Sequence, residues 1–403
     1  MILVETTLFK AFKIPVLFFL GMLYLGLTGC GNDDSIPQIS GDPYIDLPSY
    51  SFTVEALELQ TAVEDGIQSF VELDVSVHEF SYETNYDGET LMTSGALAIP
   101  INSEEPPSLF SFHHGTFIDP ALSLSEIPKI LFPKDYLVPA SNGYITLFPD
   151  YIGYGETNGH LHPYIQREPS ATTVINMILA VREFLETNNI SVDQKLFLGG
   201  FSEGGYVTMA VHRELELNNH GLQVTASAPG AGPYDIRFTL DEILTRSSYS
   251  SPELIGFFIA SYNENFLNRP LIDYFQGPSA TRVDNFFINR SSSFLSLQQL
   301  PSQIDELLNP TFLEDFRGNG ELPLKQFIQD NNLVDWVPKT PITFFHGSSD
   351  NTVPSEVSQH TFDILLELGT DPDLIDLEFY PGGHDEDPWL ELTLEWFSTF
   401  RNN

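Results

Sequence analysis

The stretch Lys195-Leu196-Phe197-Leu198, followed at once by Gly200-Phe201-Ser202-Glu203-Gly204 and then by a helix-prone run from Tyr206, decides how the rest of the chain is read. Three apolar residues in succession after Lys195 suit a buried strand, and the segment after Tyr206 suits a helix over Tyr206 to Glu216. Between them stands G-x-S-x-G in a strand-turn-helix setting. A serine on so tight a turn projects its hydroxyl away from the chain. Side chains two positions away on either side would collide there, and Gly200 and Gly204 remove both collisions. The helix that starts beyond Ser202 also aims its first N–H groups at any negative charge developing beside the hydroxyl.

A serine hydroxyl is a weak nucleophile unless a base takes its proton, so a histidine and an orienting carboxylate are needed elsewhere. Downstream, Ile342-Thr343-Phe344-Phe345-His346-Gly347-Ser348-Ser349-Asp350 places an aspartate on a loop after a buried strand. Asp350 is the expected acid, although a turn or helix-capping role suits an aspartate there equally well. Leu377-Glu378-Phe379-Tyr380-Pro381-Gly382-Gly383-His384 puts a histidine on a glycine-rich loop after the last strand, so His384 is expected as general base and then general acid. Of the ten histidines, this one alone follows both serine and acid on a post-strand loop. His346 is read as one residue beyond its strand and His360 as mid-helix, and neither is given a role.

Acyl transfer also needs donors for a tetrahedral oxyanion. The backbone N–H of Glu203, next after the serine, is one candidate. Phe112-His113-His114-Gly115-Thr116, after an early strand, supplies the other through Thr116. Adjacent histidines on an extended segment point to opposite faces, which argues against His113 and His114 as a metal pair. No metal and no cofactor are expected.

Working outward, strand-like runs at Leu109 to Phe112, Tyr144 to Phe148, Lys195 to Leu198, Val224 to Ala228, Ile342 to Phe345 and Leu374 to Tyr380 alternate with helical segments at Ala171 to Leu185, Tyr206 to Glu216 and Ser355 to Leu368. That alternation predicts an α/β fold with a mostly parallel sheet and flanking helices. Ahead of it, Val77 to Tyr82 and Thr90 to Ile99, separated by Asp87-Gly88, predict a hairpin at an antiparallel sheet edge. Between residues 237 and 337 the alternation gives way to aromatic-rich helical pieces, read as an inserted helical cap within a catalytic domain of residues 49–236 and 338–403. A separate domain is the other reading of that segment. Its aromatics Phe257, Phe258, Tyr262, Phe266, Tyr274 and Phe275 suit either an acyl pocket or the cap's own core.

With these pieces in order, the sequence resembles the bacterial α/β-hydrolases related to the secretory lipases and esterases, over roughly Tyr82 to Phe400. The resemblance includes Tyr82-Glu83-Thr84 with Ser94-Gly95-Ala96-Leu97, the text from Gly143 to Gly155, and His162-Pro163-Tyr164. It implies the α/β-hydrolase fold and ester hydrolysis through an acyl-enzyme, without a cofactor. The oxyanion loop carries Gly-Thr in place of a triple glycine, which points away from the hormone-sensitive-lipase-like esterases. Fold and triad do not fix the leaving group. A peptidase or acyl-aminopeptidase therefore stays open, as does a non-catalytic surface lipoprotein that only binds.

The N-terminus reads as an export signal. Lys10 and Lys13 precede an apolar run from Ile14 to Leu27 that is too short to span a bilayer. Leu27-Thr28-Gly29-Cys30 then resembles the bacterial lipobox, which implies removal of residues 1–29 and lipidation of Cys30. Residues 30–48, with Gly-Asn-Asp-Asp-Ser and scattered prolines, read as a flexible tether. The expected location is the bacterial cell envelope, lipid-anchored at the outer membrane or cell surface. Cys30 is the only cysteine, which excludes an internal disulfide and a cysteine-based metal cluster. The 403 residues carry a net charge of −39, opposite in sign to a nucleic-acid-binding profile. The expected partner is a small-molecule or lipid ester. The acidity itself suits a solvated surface in a cold, marine or salty habitat.

Overall fold

A computed structural model describes residues 51–119 and 121–401. The signal segment 1–29, Cys30 and the tether to residue 48 lie outside the described residues. Nine strands form one sheet: β1 (Ser51–Val54), β2 (Val75–Tyr86), β3 (Glu89–Pro100), β4 (Ser108–His113), β5 (Tyr144–Pro149), β6 (Leu196–Phe201), β7 (Ala226–Gly230), β8 (Ile342–Gly347) and β9 (Ile375–Tyr380). Their spatial order is β1-β2-β3-β5-β4-β6-β7-β8-β9. Pairing is antiparallel from β1 through β3 to β5 and parallel from β5 to β9. This is the mostly parallel α/β architecture that the alternating text predicts.

Strands β4, β5, β6 and β8 are buried along their whole length, which is why they read as mainly apolar runs without strict alternation. Helices cover both faces of such a sheet. Along one of them, Phe110 meets Phe397 edge-on at 5.4 Å, and Trp389 stands 5.6 Å from Phe112 while its Nε1–H donates to the Ala228 carbonyl. Fully burying one aromatic of this kind is worth roughly 1.5–3 kcal/mol, so the C-terminal helix Glu386–Arg401, which carries Trp389 and Phe397, is held firmly to the sheet.

The hairpin turn falls at Asp87-Gly88, both with positive φ (52° and 78°), as a two-residue turn between twisted strands demands. Two elements differ from the sequence expectation. The sheet edge begins earlier, with β1 and a helix over Ala56–Ala62, because a four-residue strand beside Pro-rich text offers too short a pattern to detect. Strand β7 starts at Ala226, two residues later than the β-branched Val224-Thr225 suggests. Thr225 instead uses its Oγ1 to accept from the Leu196 N–H.

Between β7 and β8 the chain runs through helices at Ile236–Leu244, Pro252–Tyr262, Gly277–Val283, Phe294–Leu297, Ile304–Leu307, Pro310–Arg317 and Leu322–Asn331. Their link to the rest is polar as well as apolar. Ser261 accepts from Tyr164 N–H and Gln166 Nε2 and donates to the His162 carbonyl, while Tyr262 OH donates to the Ile165 carbonyl. Five of the six aromatics singled out in this segment are buried, and Phe266 is exposed. Among the described residues no helix is long and apolar enough to cross a membrane.

Candidate active site

Ser202 is the single residue between β6 and the helix Glu203–Leu217. Its backbone sits at φ 60°, ψ −120°, a region that L-residues avoid, and the Ser202 N–H is tied to the Gly230 carbonyl at 2.8 Å. Strain of this kind costs on the order of 1–3 kcal/mol and persists only where the surroundings enforce it. The flanking glycines show what enforces it. A Cβ on Gly200 would stand 2.5 Å from two backbone oxygens, those of Gly204 and His113. One on Gly204 would overlap the His113 carbonyl. Strand β4 is thus packed against the turn closely enough that only glycine fits.

The other two residues singled out in the sequence arrive from the ends of β8 and β9. His384 Nε2 lies 2.8 Å from Ser202 Oγ, and His384 Nδ1 lies 2.6 Å from Asp350 Oδ2. Serine, histidine and aspartate, separated by up to 182 positions, therefore form one hydrogen-bonded line at the carboxyl edge of the parallel strands. The His384 ring packs on Phe201, 4.8 Å between centroids.

The two oxygens of Asp350 meet different donors. Oδ1 accepts from the Thr352 and Val353 N–H groups, closing the local turn, and Oδ2 accepts from His384. Oδ2 also faces a second ring, that of His346, at 3.1 Å. Here the sequence reading is corrected. His346 lies within β8, not beyond it, and it touches the acid. Only the fold of the 347–353 turn back over the strand end makes that contact. Burial pushes the Asp350 carboxyl up, but the hydrogen bonds from His346 and His384 outweigh it and bring the pKa down to about 2.

The loop after β4 lies against the elbow, with a Cβ on Gly115 placed 3.8 Å from Ser202 Cβ. Thr116, the predicted oxyanion residue on that loop, has its hydroxyl 3.0 Å from Tyr164 OH. Glu203 occupies the first position of its helix, where an N–H has no intrahelical acceptor. His113 and His114 are both buried and directed to different partners: His113 to Ser111 and Thr208, His114 into a stack between Phe117 and Tyr151. Burial holds both pKa values down to about 3. Among the described residues no group of three or more potential ligands is arranged to hold a metal ion.

A buried pair beside Ser202 goes unannounced by the spacing of the sequence. His162 Nδ1–H donates to the Ile152 carbonyl at 2.7 Å, and Nε2 lies 2.5 Å from Glu203 Oε1. A ring lone pair and a carboxylate oxygen repel each other, so a proton lies between them. The resemblance had drawn attention to His162-Pro163-Tyr164, but nothing in the spacing predicts its union with Glu203. His162 also lines a small pocket of about 20 Å³, together with Phe257, Phe286, Phe287, Leu161 and Arg290. Of the six insertion aromatics named above, Phe257 is the one in that wall. It stacks on Tyr164 at 4.5 Å.

The fold has counterparts among solved structures. The chain is 25% identical to the rice cell wall degrading esterase LipA from Xanthomonas oryzae, with a TM-score of 0.71 over 87% of this chain and 95% of that one. The fold is that of a lipase/esterase-like α/β-hydrolase. Two further α/β-hydrolase neighbours share the fold at lower identity. One is a Legionella pneumophila protein with a provisional hydrolase assignment, lpg1103 (TM-score 0.78, 21% identity, 88% of this chain and 98% of that one). The other is Candida antarctica lipase A in its closed state (TM-score 0.61, 16% identity, 91% and 87%). No family model and no curated protein matches the chain. In an α/β-hydrolase the carboxyl edge of the sheet is where loops gather, and Ser202, Asp350, His384 and the Gly115-Thr116 loop all lie there.

Proposed function

We propose that the chain is a serine hydrolase of carboxylic esters that works through Ser202, His384 and Asp350 and an acyl-enzyme intermediate. The observation that carries this reading is the unbroken line from Ser202 Oγ through both ring nitrogens of His384 to Asp350 Oδ2, with the serine on a strained turn. Ser202 Oγ attacks the ester carbonyl carbon while its proton passes to His384 Nε2. The imidazolium that forms is stabilised by Asp350 across Nδ1–H. The carbonyl oxygen gains the negative charge, for which the N–H groups of Glu203 and Thr116 are the proposed donors. Collapse breaks the bond to the alcohol oxygen, which takes the proton from His384. Water then attacks the acyl-enzyme, gives its proton to the same nitrogen, and the acid leaves as Ser202 recovers its hydrogen.

The structural likeness to LipA and to lipase A supports an ester over an amide as substrate. Anchoring through a lipidated Cys30 remains part of the proposal and would hold the enzyme at the cell envelope.

The test is turnover of a p-nitrophenyl ester series beside aminoacyl-nitroanilides, with fluorophosphonate labelling. Wild type should hydrolyse the esters, prefer them to the anilides and take the label. Ser202→Ala should lose the label and on the order of 10⁶ in kcat. Equal labelling of both proteins refutes the nucleophile, and faster turnover of the anilides refutes the ester reading.

A further inference from the structure

We infer that His346 is a positioning residue for the acid of the site, so that Asp350 Oδ2 serves two imidazoles and not one. The inference rests on the triad proposed above. His346 Nε2 faces two acceptors, Asp350 Oδ2 at 3.1 Å and the Val353 carbonyl at 3.0 Å, so that nitrogen must carry a hydrogen. Its Nδ1 lies 2.6 Å from Ser358 Oγ, on the helix Glu356–Glu367. With Nε2 protonated, the neutral ring accepts the Ser358 hydroxyl hydrogen at Nδ1, and this tautomer is satisfied on both sides without a charge. Ring, serine and carboxylate are all buried.

The consequence is a carboxylate saturated by four donors. Thr352 and Val353 N–H take Oδ1, while His384 Nδ1–H and His346 Nε2–H share Oδ2. Each N–H draws on the same negative charge. His346 thus fixes the direction in which Oδ2 points and limits how strongly it holds the His384 imidazolium. Removing the His346 donor leaves the backbone donors on Oδ1 in place, but Oδ2 loses its fixed direction and its whole charge turns to His384. A protonated His384 ring is then held more strongly, which moves the acid limb of activity to higher pH.

Other groups around the carboxylate are the phenols of Tyr234, Tyr249 and Tyr380, all pushed far up by burial, together with Asp385 and Glu386 on the segment after His384. The phenols do not ionise in the relevant range. Glu386, pushed up to about 8 by burial and by its acidic neighbours, does, so Glu386→Gln is run as the background.

The experiment measures kcat, KM and the pH profile of kcat/KM for His346→Phe, His346→Gln and Ser358→Ala, with folding checked by circular dichroism. The Phe variant should lose roughly tenfold or more in kcat through misdirection of the triad, with KM within about twofold, and its acid limb should move up by about half a pH unit. Gln carries an N–H within reach of the same oxygen and should restore both. Ser358→Ala, which frees the ring's tautomer, should shift the limb in the same direction by less, and it carries the test if the Phe variant does not fold. An acid limb that stays or moves down in a folded Phe variant, or an equal loss in the Gln variant, overturns the inference. Ser202→Ala is assayed in parallel. If it retains turnover the triad reading falls, whereas loss there with unchanged His346 variants removes this inference alone.

Discussion

At the scale of single residues, function depends on side chains that are absent as much as on those present. Gly204 matters because the His113 carbonyl occupies the space where its Cβ would be. Gly204→Ala must push β4 away from the elbow, and overpacking of rigid backbone costs more than about 3 kcal/mol. We expect the variant to lose ester turnover and to unfold at a clearly lower urea midpoint. An unchanged midpoint would mean that strand and turn are not in contact. Asp350 gives a second prediction. Its folded pKa of about 2 lies below the ordinary value of 3.8, so the ionised carboxylate contributes stability at neutral pH. That contribution is fully present above about pH 4 and lost as pH falls through about 2. Asp350→Asn should therefore be less stable than wild type at pH 7, with the gap closing between about pH 4 and pH 2 in thermal melts.

At the scale of elements, the parallel strands do the positioning. Strands β4, β6, β8 and β9 end side by side, so the loops that follow them meet although they are far apart in the chain. The helix Glu386–Arg401 starts two residues after His384 and carries a tension of its own. Glu386 accepts from Tyr136 OH with Oε2, and its Oε1 has no partner. Burial first, then the negative charges of Asp387, Asp135 and Asp385, raise its pKa to about 8. The folded state retains this proton between about pH 4.5 and 8 while the unfolded state does not, so stability falls as pH rises through that window. Glu386→Gln should accordingly raise the melting temperature more at pH 8 than at pH 5. Equal gains at both values would show that the carboxyl is already ionised when folded.

At the scale of the whole molecule, the net charge of −39 and the single cysteine bear on where the protein works and not on its fold. The proposed anchor predicts that the expressed full-length protein partitions into detergent and that Cys30→Ser releases it to the aqueous phase. Aqueous partitioning of wild type would remove the lipid from the proposal. The apolar runs of buried strands and the glycines around Ser202 made the mostly parallel α/β architecture and the tight turn at the serine legible in the sequence, because those features are local. Buried parallel strands must be mainly apolar, and a strained turn tolerates only glycine at its flanks. What needed the tertiary structure was every pairing between distant segments. His346 appeared as an idle residue just beyond its strand until the turn at 347–353 brought Asp350 back to it. Glu203 appeared as a supplier of one N–H until His162, 41 positions earlier, closed on its side chain. Periodicity records which face of an element is buried. It carries no record of which polar groups meet there, because hydrogen bonds between remote residues depend on how the chain returns.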